Sequence, residues 1–261
     1  MTTHFYHKSK NKKRHKHFGV SSVFWIGLVL IVCLIGINFA DIISSLLSYK
    51  TSIFSGGKIR VPNSTMYAIS LGQVSEITQA EDLANKVIKQ GGAGYIYQSG
   101  DYFVFASLYD SVIDAKSVVD KLKQDNTQAS IVNINIPVIK LNYKGKYEKQ
   151  LLDGIGFFKK CYQELYKMSL AYDSGQITTA KLKDQISSLI SLSKQTQNSI
   201  EKIINKENNT YALMLENKLL SITSLLEKLN ITPAEGLLIN GNIKNCYFKV
   251  IFLNIEYAKQ V

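Results

Sequence analysis

A small group of aromatic, amide and hydroxyl side chains carries the clearest chemistry in this sequence. Flat aromatic rings stack on flat ligand surfaces, while amides and hydroxyls donate and accept hydrogen bonds. The group lies within residues 66–138 and consists of Ser70, Tyr95, Tyr97, Phe103, Phe105 and Asn133. We expect these side chains to bind a ligand or a partner, provided that the fold brings them to one surface.

Residues that could support catalysis are scarce. The four histidines lie at the N-terminus: His4, His7, His15 and His17. Neither a Ser/His pair nor a His-ligated zinc site can therefore be built in the rest of the chain. Cys161 and Cys246 have no histidine to activate their thiols. The stretch 91–94, Gly-Gly-Ala-Gly, lacks the Lys-Ser/Thr of a phosphate-binding loop and is more typical of a helix stop.

The acidic residues give no indication of a catalytic site either. Paired acids can cleave glycans, but nothing in the sequence directs two of the acidic residues to one site. The residues considered are Glu76, Glu81, Asp82, Asp101 and Glu164. We therefore predict no enzyme activity, no catalytic residues, no metal site and no cofactor.

A repeat with a shift of 35 residues organises the region that holds the candidate site. The shift places Tyr67 on Tyr102, Ala80 on Ala115 and Lys86 on Lys121, and apolar positions match as well. Each copy predicts a strand, a helix and a strand. The predicted strands are 66–72, 94–98, 102–108 and 130–137, and the predicted helices are 78–90 and 112–124. Two copies make a βαββαβ unit, in which both helices cover one face of a four-stranded antiparallel sheet and leave the other face open.

Side-chain alternation predicts which residues lie on the open face. It directs Tyr67, Ile69, Leu71, Ile96, Tyr102, Val104 and Ala106 toward the helices. It leaves Ala68, Ser70, Tyr95, Tyr97, Phe103 and Phe105 on the open face. In the last strand the alternation favours Val132, Ile134 and Ile136 toward the helices and Asn133 and Asn135 on the open face. The 35-residue shift instead pairs Ile131 with Ile96, so the register of that strand stays open.

An exposed aromatic patch of this kind usually marks a binding surface. A sugar polymer fits it, and so does a partner protein or the chain's own C-terminal helices.

Residues 66–138 resemble the SPOR (sporulation-related repeat) domain. The likeness rests on the two strand openings, Tyr67–Val74 and Tyr102–Tyr109, and on Ala80 and Ala115 at matched helix positions. The resemblance implies a ferredoxin-like fold. It also implies binding to peptidoglycan glycan strands, preferably strands stripped of stem peptides, at division septa. Ser70 stands where the family often carries Gln, and Phe103 and Phe105 stand where it often carries Arg.

The N-terminal region predicts a membrane anchor. Residues 18–40 contain no charge, and at 1.5 Å rise per residue they are long enough for a bilayer core of about 30 Å. Residues 1–17 form a basic tail, which we expect in the cytoplasm. The histidines there could bind a metal or thicken a positive patch against lipid, although a topology signal is the simpler interpretation. Residues 41–65 would form a juxtamembrane segment and linker. The bulk of the chain would then lie outside the cytoplasm of a bacterial cell.

The C-terminal part, residues 147–261, predicts a four-helix bundle. One stripe runs through Leu151, Ile155, Phe158, Tyr162, Leu165 and Tyr172, and a second through Leu182, Ile186, Leu189, Ser193, Ile200 and Ile203. A third contains Tyr211, Leu215, Ile222, Leu225 and Leu229, and a fourth Ile243, Tyr247, Val250, Ile251 and Tyr257. Thr232-Pro233-Ala234-Glu235 predicts the start of the last helix. Cys161 and Cys246 could form a disulfide or remain two buried free thiols.

The sequence therefore predicts an α+β protein with a transmembrane helix, a SPOR-like domain with one open sheet face, and a helical bundle. One functional hypothesis is a membrane-anchored scaffold that binds peptidoglycan in bacterial division or sporulation, with a divisome or sporulation protein held by the bundle. The alternative is an extracytoplasmic adaptor between proteins, whose sheet no longer binds glycan. Nucleic acid is not an expected partner under either hypothesis.

Overall fold

The computed structural model describes residues 58–261. The predicted tail, membrane span and first part of the linker lie outside the described residues. Within residues 58–261 the protein is an α+β chain with six helices and antiparallel sheets, and none of these helices is long and apolar enough to cross a membrane. The strands are β1 (Ile59–Val61), β2 (Ser64–Val74), β3 (Tyr95–Ser99), β4 (Asp101–Tyr109), β5 (Ser130–Ile136) and β6 (Ile139–Leu141). The helices are α1 (Ile77–Lys89), α2 (Val112–Gln124), α3 (Glu148–Asp173), α4 (Thr179–Glu207), α5 (Thr210–Ile231) and α6 (Gly236–Gln260).

The main sheet has the predicted β-α-β-β-α-β order. Its strands lie in the order β3-β4-β2-β5, and every neighbouring pair is antiparallel. Gly100, with φ of +76°, forms the tight turn between β3 and β4. Ser111 caps α2 by accepting a hydrogen bond from the backbone N–H of Asp114. Gly91, with φ of +84°, follows the end of α1, as the predicted helix stop requires.

A second, two-stranded sheet corrects the prediction of an unstructured linker through residue 65. Strand β1 pairs with β6, with Ile59 opposite Leu141 and Val61 opposite Ile139. Ile59, Ile139 and Leu141 are buried in the core shared with the bundle. Strands of three residues are too short to show an alternating pattern in the sequence, so only the tertiary contact reveals them.

The four long helices form the predicted bundle. Helix α3 packs against α4 and α6, and α5 packs against the same two helices. The second predicted stripe, on α4, is buried at every position. The stripes are therefore core, as predicted. Cys161 on α3 and Cys246 on α6 are buried free thiols, and burial raises the pKa of Cys246 to about 12.

The predicted helix start at Thr232 is wrong. Thr232 ends α5 instead, because its hydroxyl donates to the Lys228 carbonyl at 2.7 Å and its own N–H donates to the same carbonyl. Helix α6 begins only at Gly236. The same residue types that open a helix can close the preceding one by bonding back to its last carbonyls.

Candidate interaction site: the aromatic face of the sheet

The main sheet separates two apolar layers. On one face, Ile69 and Val104 pack in clusters with the apolar sides of α2 and α1 respectively. On the other face, Met66, Ala68 and Phe105 belong to the same core as the helical bundle. We call this second surface the aromatic face; its aromatic members are Tyr95, Tyr97, Phe103 and Phe105. The structure thus brings together the aromatic residues that the sequence singled out.

The aromatic face is covered, which corrects the prediction that it is open. Helix α6 lies across it and contributes Phe248 and Phe252. The ring of Phe248 stacks on Tyr95 at 5.3 Å and on Phe105 at 5.6 Å between centroids. Phe252 stacks on Tyr95 at 4.9 Å and lies 5.2 Å from the ring of Tyr97. Phe105 is 0% exposed as a result. Of the occupants considered for this face, the chain's own C-terminal helices are the ones that fill it.

Helix α6 can serve two surfaces because it is apolar on nearly all sides. Its predicted stripe, which includes Tyr247 and Ile251, is buried as expected. Phe248 and Phe252 were missed because they lie beside that stripe, four residues apart and so on one face of the helix. A helix that is hydrophobic all round is buried on more than one side. That feature of residues 236–260 is the sequence signal that could have predicted the covered sheet.

The remaining predicted site residues lie in less accessible positions than expected. Tyr95, Tyr97 and Phe103 are half-buried against the core formed with the bundle. Ser70 is 2% exposed, and its hydroxyl donates to the Gly72 carbonyl at 2.8 Å, within its own strand. The Ser70 hydroxyl is therefore engaged locally and is not presented to a ligand.

Asn133 lies on the opposite face of the sheet, which corrects its predicted position. In the β2–β5 register, Tyr67 faces Asn133 and Ile69 faces Ile131, while Met66 faces Ile134. Directly paired residues share a face, so Ile131 points toward α2 and Ile134 toward the bundle. The register indicated by the 35-residue shift is the correct one. Simple alternation failed because it assigned the buried side of this strand to the two helices, whereas Val132, Ile134 and Ile136 pack against the core of the bundle.

Polar contacts fix α6 against the turn between α1 and β3. Lys244 Nζ donates to the Gly91 carbonyl at 2.8 Å and pairs with the Asp173 carboxylate of α3 at 3.1 Å. Both side chains of this ion pair are buried. Asn245 donates from its amide nitrogen to the Ala93 carbonyl at 2.9 Å. A buried pair is costly to leave half-made, because the remaining charge loses its partner. These bonds hold the bundle in one position on the sheet.

Close backbone contact adds a steric constraint at the same place. A Cβ placed on Gly241 of α6 would come within 2.4 Å of the Ile88 carbonyl oxygen and 2.8 Å of the Gly92 carbonyl oxygen. Both contacts are with backbone atoms, which cannot move away as a flexible side chain can. Glycine is therefore required for α6 to lie this close to the α1–β3 turn.

An open groove of about 600 Å³ lies where the aromatic face ends, between β3, α5 and α6. Tyr95, Leu220, Leu225, Phe252 and Leu253 line it, together with Ser221, Ser224, Lys249 and Glu256. Leu220 is 50% exposed. Burial, together with the nearby Glu256 carboxylate, raises the pKa of Tyr95 to about 12. Apolar walls with a few polar groups at the rim are typical of a surface that binds a partner.

Comparison with known proteins adds no further guide, because the chain matches no protein family, no curated protein and no solved structure. Within the described residues, no group of three or more His, Cys, Asp or Glu side chains is placed to hold a metal ion. The candidate site is therefore defined by the aromatic face, the helix that covers it and the adjoining groove.

Proposed function

We propose that this protein is a membrane-anchored adaptor of the bacterial cell envelope, in which a SPOR-like sheet is the platform for a helical bundle and the bundle holds a protein partner. The observation that carries this proposal is the packing of Phe248 and Phe252 against Tyr95, Tyr97 and Phe105. The aromatic face therefore packs against α6 within the same molecule. We infer the membrane anchor of the protein, its position outside the cytoplasm and its role in division or sporulation from the sequence and from the SPOR resemblance.

Glycan binding through the aromatic face, the competing hypothesis, would require α6 to leave the sheet. That movement would break the hydrogen bonds of Lys244 to the Gly91 carbonyl and of Asn245 to the Ala93 carbonyl, and would expose the ring of Phe248. A sugar chain arriving afterwards would find Ser70 bonded to its own strand, and Phe103 and Phe105 where the family often carries Arg. Each of these features favours the adaptor over the glycan binder.

The groove is the surface on which we propose that the partner protein binds. Leu220 and Leu225 supply apolar contacts from α5, and Phe252 and Leu253 supply them from α6. Lys249 and Glu256 add one charge of each sign at the rim, and Glu256 is already paired with Lys218 at 2.7 Å. Apolar centres with polar rims are characteristic of protein–protein interfaces.

Co-sedimentation with peptidoglycan sacculi tests the proposal. The full-length protein in detergent is mixed with sacculi, with and without amidase treatment that strips the stem peptides. We expect the protein to stay in the supernatant in both cases, because the aromatic face is occupied. Pelleting that increases after stripping would support the glycan-binding scaffold and overturn the adaptor.

A substitution in the aromatic face shows whether that surface is responsible for any binding to sacculi. If wild-type protein pellets, Phe105→Ala should be compared with it. Loss of pelleting would assign the binding to the sheet, which requires that α6 leaves it. Retained pelleting would place glycan binding elsewhere on the molecule and would leave the covered face intact.

A further inference from the structure

The ribbon formed by β1 and β6 carries an unusual concentration of positive charge. Residues 58–62 and 139–147 contain no Asp or Glu. Their basic residues, which we call the basic ribbon, are Lys58, Arg60, Lys140, Lys144 and Lys146. All of them are exposed, whereas the alternate residues Ile59, Ile139 and Leu141 are buried. The ribbon therefore has an apolar inner side and a cationic outer side.

The register places two of these charges directly opposite each other. Arg60 pairs with Lys140 across the two strands, and both side chains point outward. Like charges at directly opposed positions destabilise a sheet. No ion pair found among residues 58–261 includes Arg60, Lys140 or Lys144. The folded chain thus holds cations together at this point, and an anion outside the chain would relieve their repulsion.

The neighbouring carboxylates make other contacts and form no ion pair with the ribbon among residues 58–261. Glu207, at the end of α4, accepts a hydrogen bond from the Tyr143 hydroxyl at 2.6 Å. Glu148 begins α3, where a negative charge interacts favourably with the helix dipole. Lys146 lies over the ring of Tyr147, with its Nζ 4.9 Å from the centroid, so its contact is with an aromatic ring and not with a carboxylate.

The position of the ribbon in the chain indicates where the anion is. Residue 58 follows the predicted membrane span, residues 18–40, after a segment that ends at residue 57. That segment can separate the ribbon from the end of the span by at most about 60 Å. Basic residues held close to an anionic membrane surface are attracted to its lipid head groups, and each contributes about a fivefold factor to binding.

We propose that the basic ribbon binds the anionic head groups of the membrane that anchors the chain. This contact orients the body, so that the β1–β6 end faces the lipid and the opposite end of the bundle, where α3 ends and α4 begins, faces away. The proposal depends on the predicted anchor and is independent of whether the groove holds a partner.

Energy transfer in proteoliposomes tests the proposal. The full-length protein carries Cys33→Ser and Asn142→Cys, which places a thiol on the ribbon, while Cys161 and Cys246 are buried. A membrane-impermeant maleimide dye labels molecules whose body faces outward, and acceptor dyes are attached to lipid head groups. Vesicles of phosphatidylcholine alone are compared with an equimolar mixture of phosphatidylcholine and phosphatidylglycerol. We expect higher transfer in the anionic vesicles and a loss of that difference at high salt.

Charge variants identify the residues responsible. Neutralising Arg60, Lys140 and Lys144 together to Gln should lower the ratio of docked to undocked molecules on the order of 100-fold. The matched control is Lys123→Gln with Lys181→Gln and Lys228→Gln, which removes the same charge from exposed positions elsewhere and should retain wild-type transfer. A dye at Gln176→Cys, at the opposite end of the bundle, should show low transfer in both vesicle types.

Three results would overturn the proposal. The first is equal transfer in zwitterionic and anionic vesicles, and the second is wild-type transfer in the ribbon variant. The third is binding to soluble polyphosphate that depends on the ribbon, without any response to anionic lipid. Misfolding is checked by thermal unfolding of the ribbon variant in detergent, which should occur at or above the wild-type temperature because a like-charge pair has been removed.

Discussion

At the residue scale, a few ring contacts determine whether the aromatic face is accessible to a ligand. Phe248 lies between Tyr95 and Phe105 and also stacks on Tyr247 at 5.4 Å. It is completely buried. The same aromatic surface, if solvent-exposed, would present the stacking platform that the sequence suggested. The packing of Phe248 therefore makes this surface an internal interface, where an exposed surface could bind a ligand.

Phe248→Ala should lower the free energy of unfolding by about 3–5 kcal/mol, because it removes a fully buried ring and leaves a cavity between sheet and bundle. Urea unfolding followed by circular dichroism measures this change. Lys249→Ala is the control, since its side chain is exposed on the same helix and its substitution should stay within about 0.5 kcal/mol of wild type. An equally small effect of Phe248→Ala would show that the ring contacts do not hold the two parts together.

Tyr95 gives a pH-dependent test of the same interface. Its pKa of about 12 in the folded protein exceeds the ordinary value near 10, because burial and Glu256 disfavour the phenolate. The protonated form is thus stabilised by folding, so this contribution is complete below about pH 10 and is lost as the pH rises toward about 12. Tyr95→Phe keeps the ring but has no hydroxyl to ionise. Its free energy of unfolding should therefore fall less than that of the wild type over that pH interval, while its urea midpoint at pH 7 should equal that of the wild type. Identical alkaline profiles for the two proteins would contradict a buried position for Tyr95.

At the element scale, α6 is the part that joins the sheet to the bundle. Its Ile243 and Tyr247 are core residues, its Phe248 and Phe252 cover the aromatic face, and its Gly241 meets the α1–β3 turn. This double role agrees with a helix that buries apolar side chains on more than one side.

Gly241→Ala should destabilise the protein by about 1–3 kcal/mol, because the new Cβ would collide with two carbonyl oxygens of the α1–β3 turn. Gly156→Ala is the matched control: it is also a glycine within a helix, but a Cβ there meets nothing within 4 Å. That substitution should stabilise the protein by up to about 1 kcal/mol through helix propensity alone. Thermal unfolding of the two variants should therefore shift in opposite directions, and a shift in the same direction would contradict the close contact.

Much of this element structure could be predicted from the sequence. The 35-residue shift gave the order of the sheet and the bounds of α2, and the helical stripes gave the core of α4. The covered face could not be predicted in the same way, because Tyr95, Tyr97 and Phe105 suit a sugar, a partner or an internal helix equally well. Strand β1 was missed because three residues are too few to show an alternating pattern of apolar and polar side chains. Asn133 was placed on the wrong face because the apolar side of β5 packs against the bundle and not against the two helices of the repeat.

At the scale of the whole molecule, sheet and bundle form one structure with a shared core. The hydrogen bond from Lys244 to the Gly91 carbonyl, the Asn245 bond and the Gly241 contact all lie between the two parts. We propose that a molecule built in this way uses two outer surfaces for its contacts: the groove between β3, α5 and α6, and the basic ribbon. We predict that α6 remains on the sheet as long as the protein is folded.

Native-state hydrogen exchange tests that claim most directly, because it measures the free energy at which each segment opens. The slowest amides of α6, in residues 236–260, are compared with the slowest amides of β4, in residues 101–109, as low concentrations of urea are added. We predict that both sets exchange only through global unfolding, with the same free energy and the same dependence on urea. If α6 exchanges at a much lower free energy while β4 stays protected, the helix is a removable cover and glycan binding by the sheet becomes the better account.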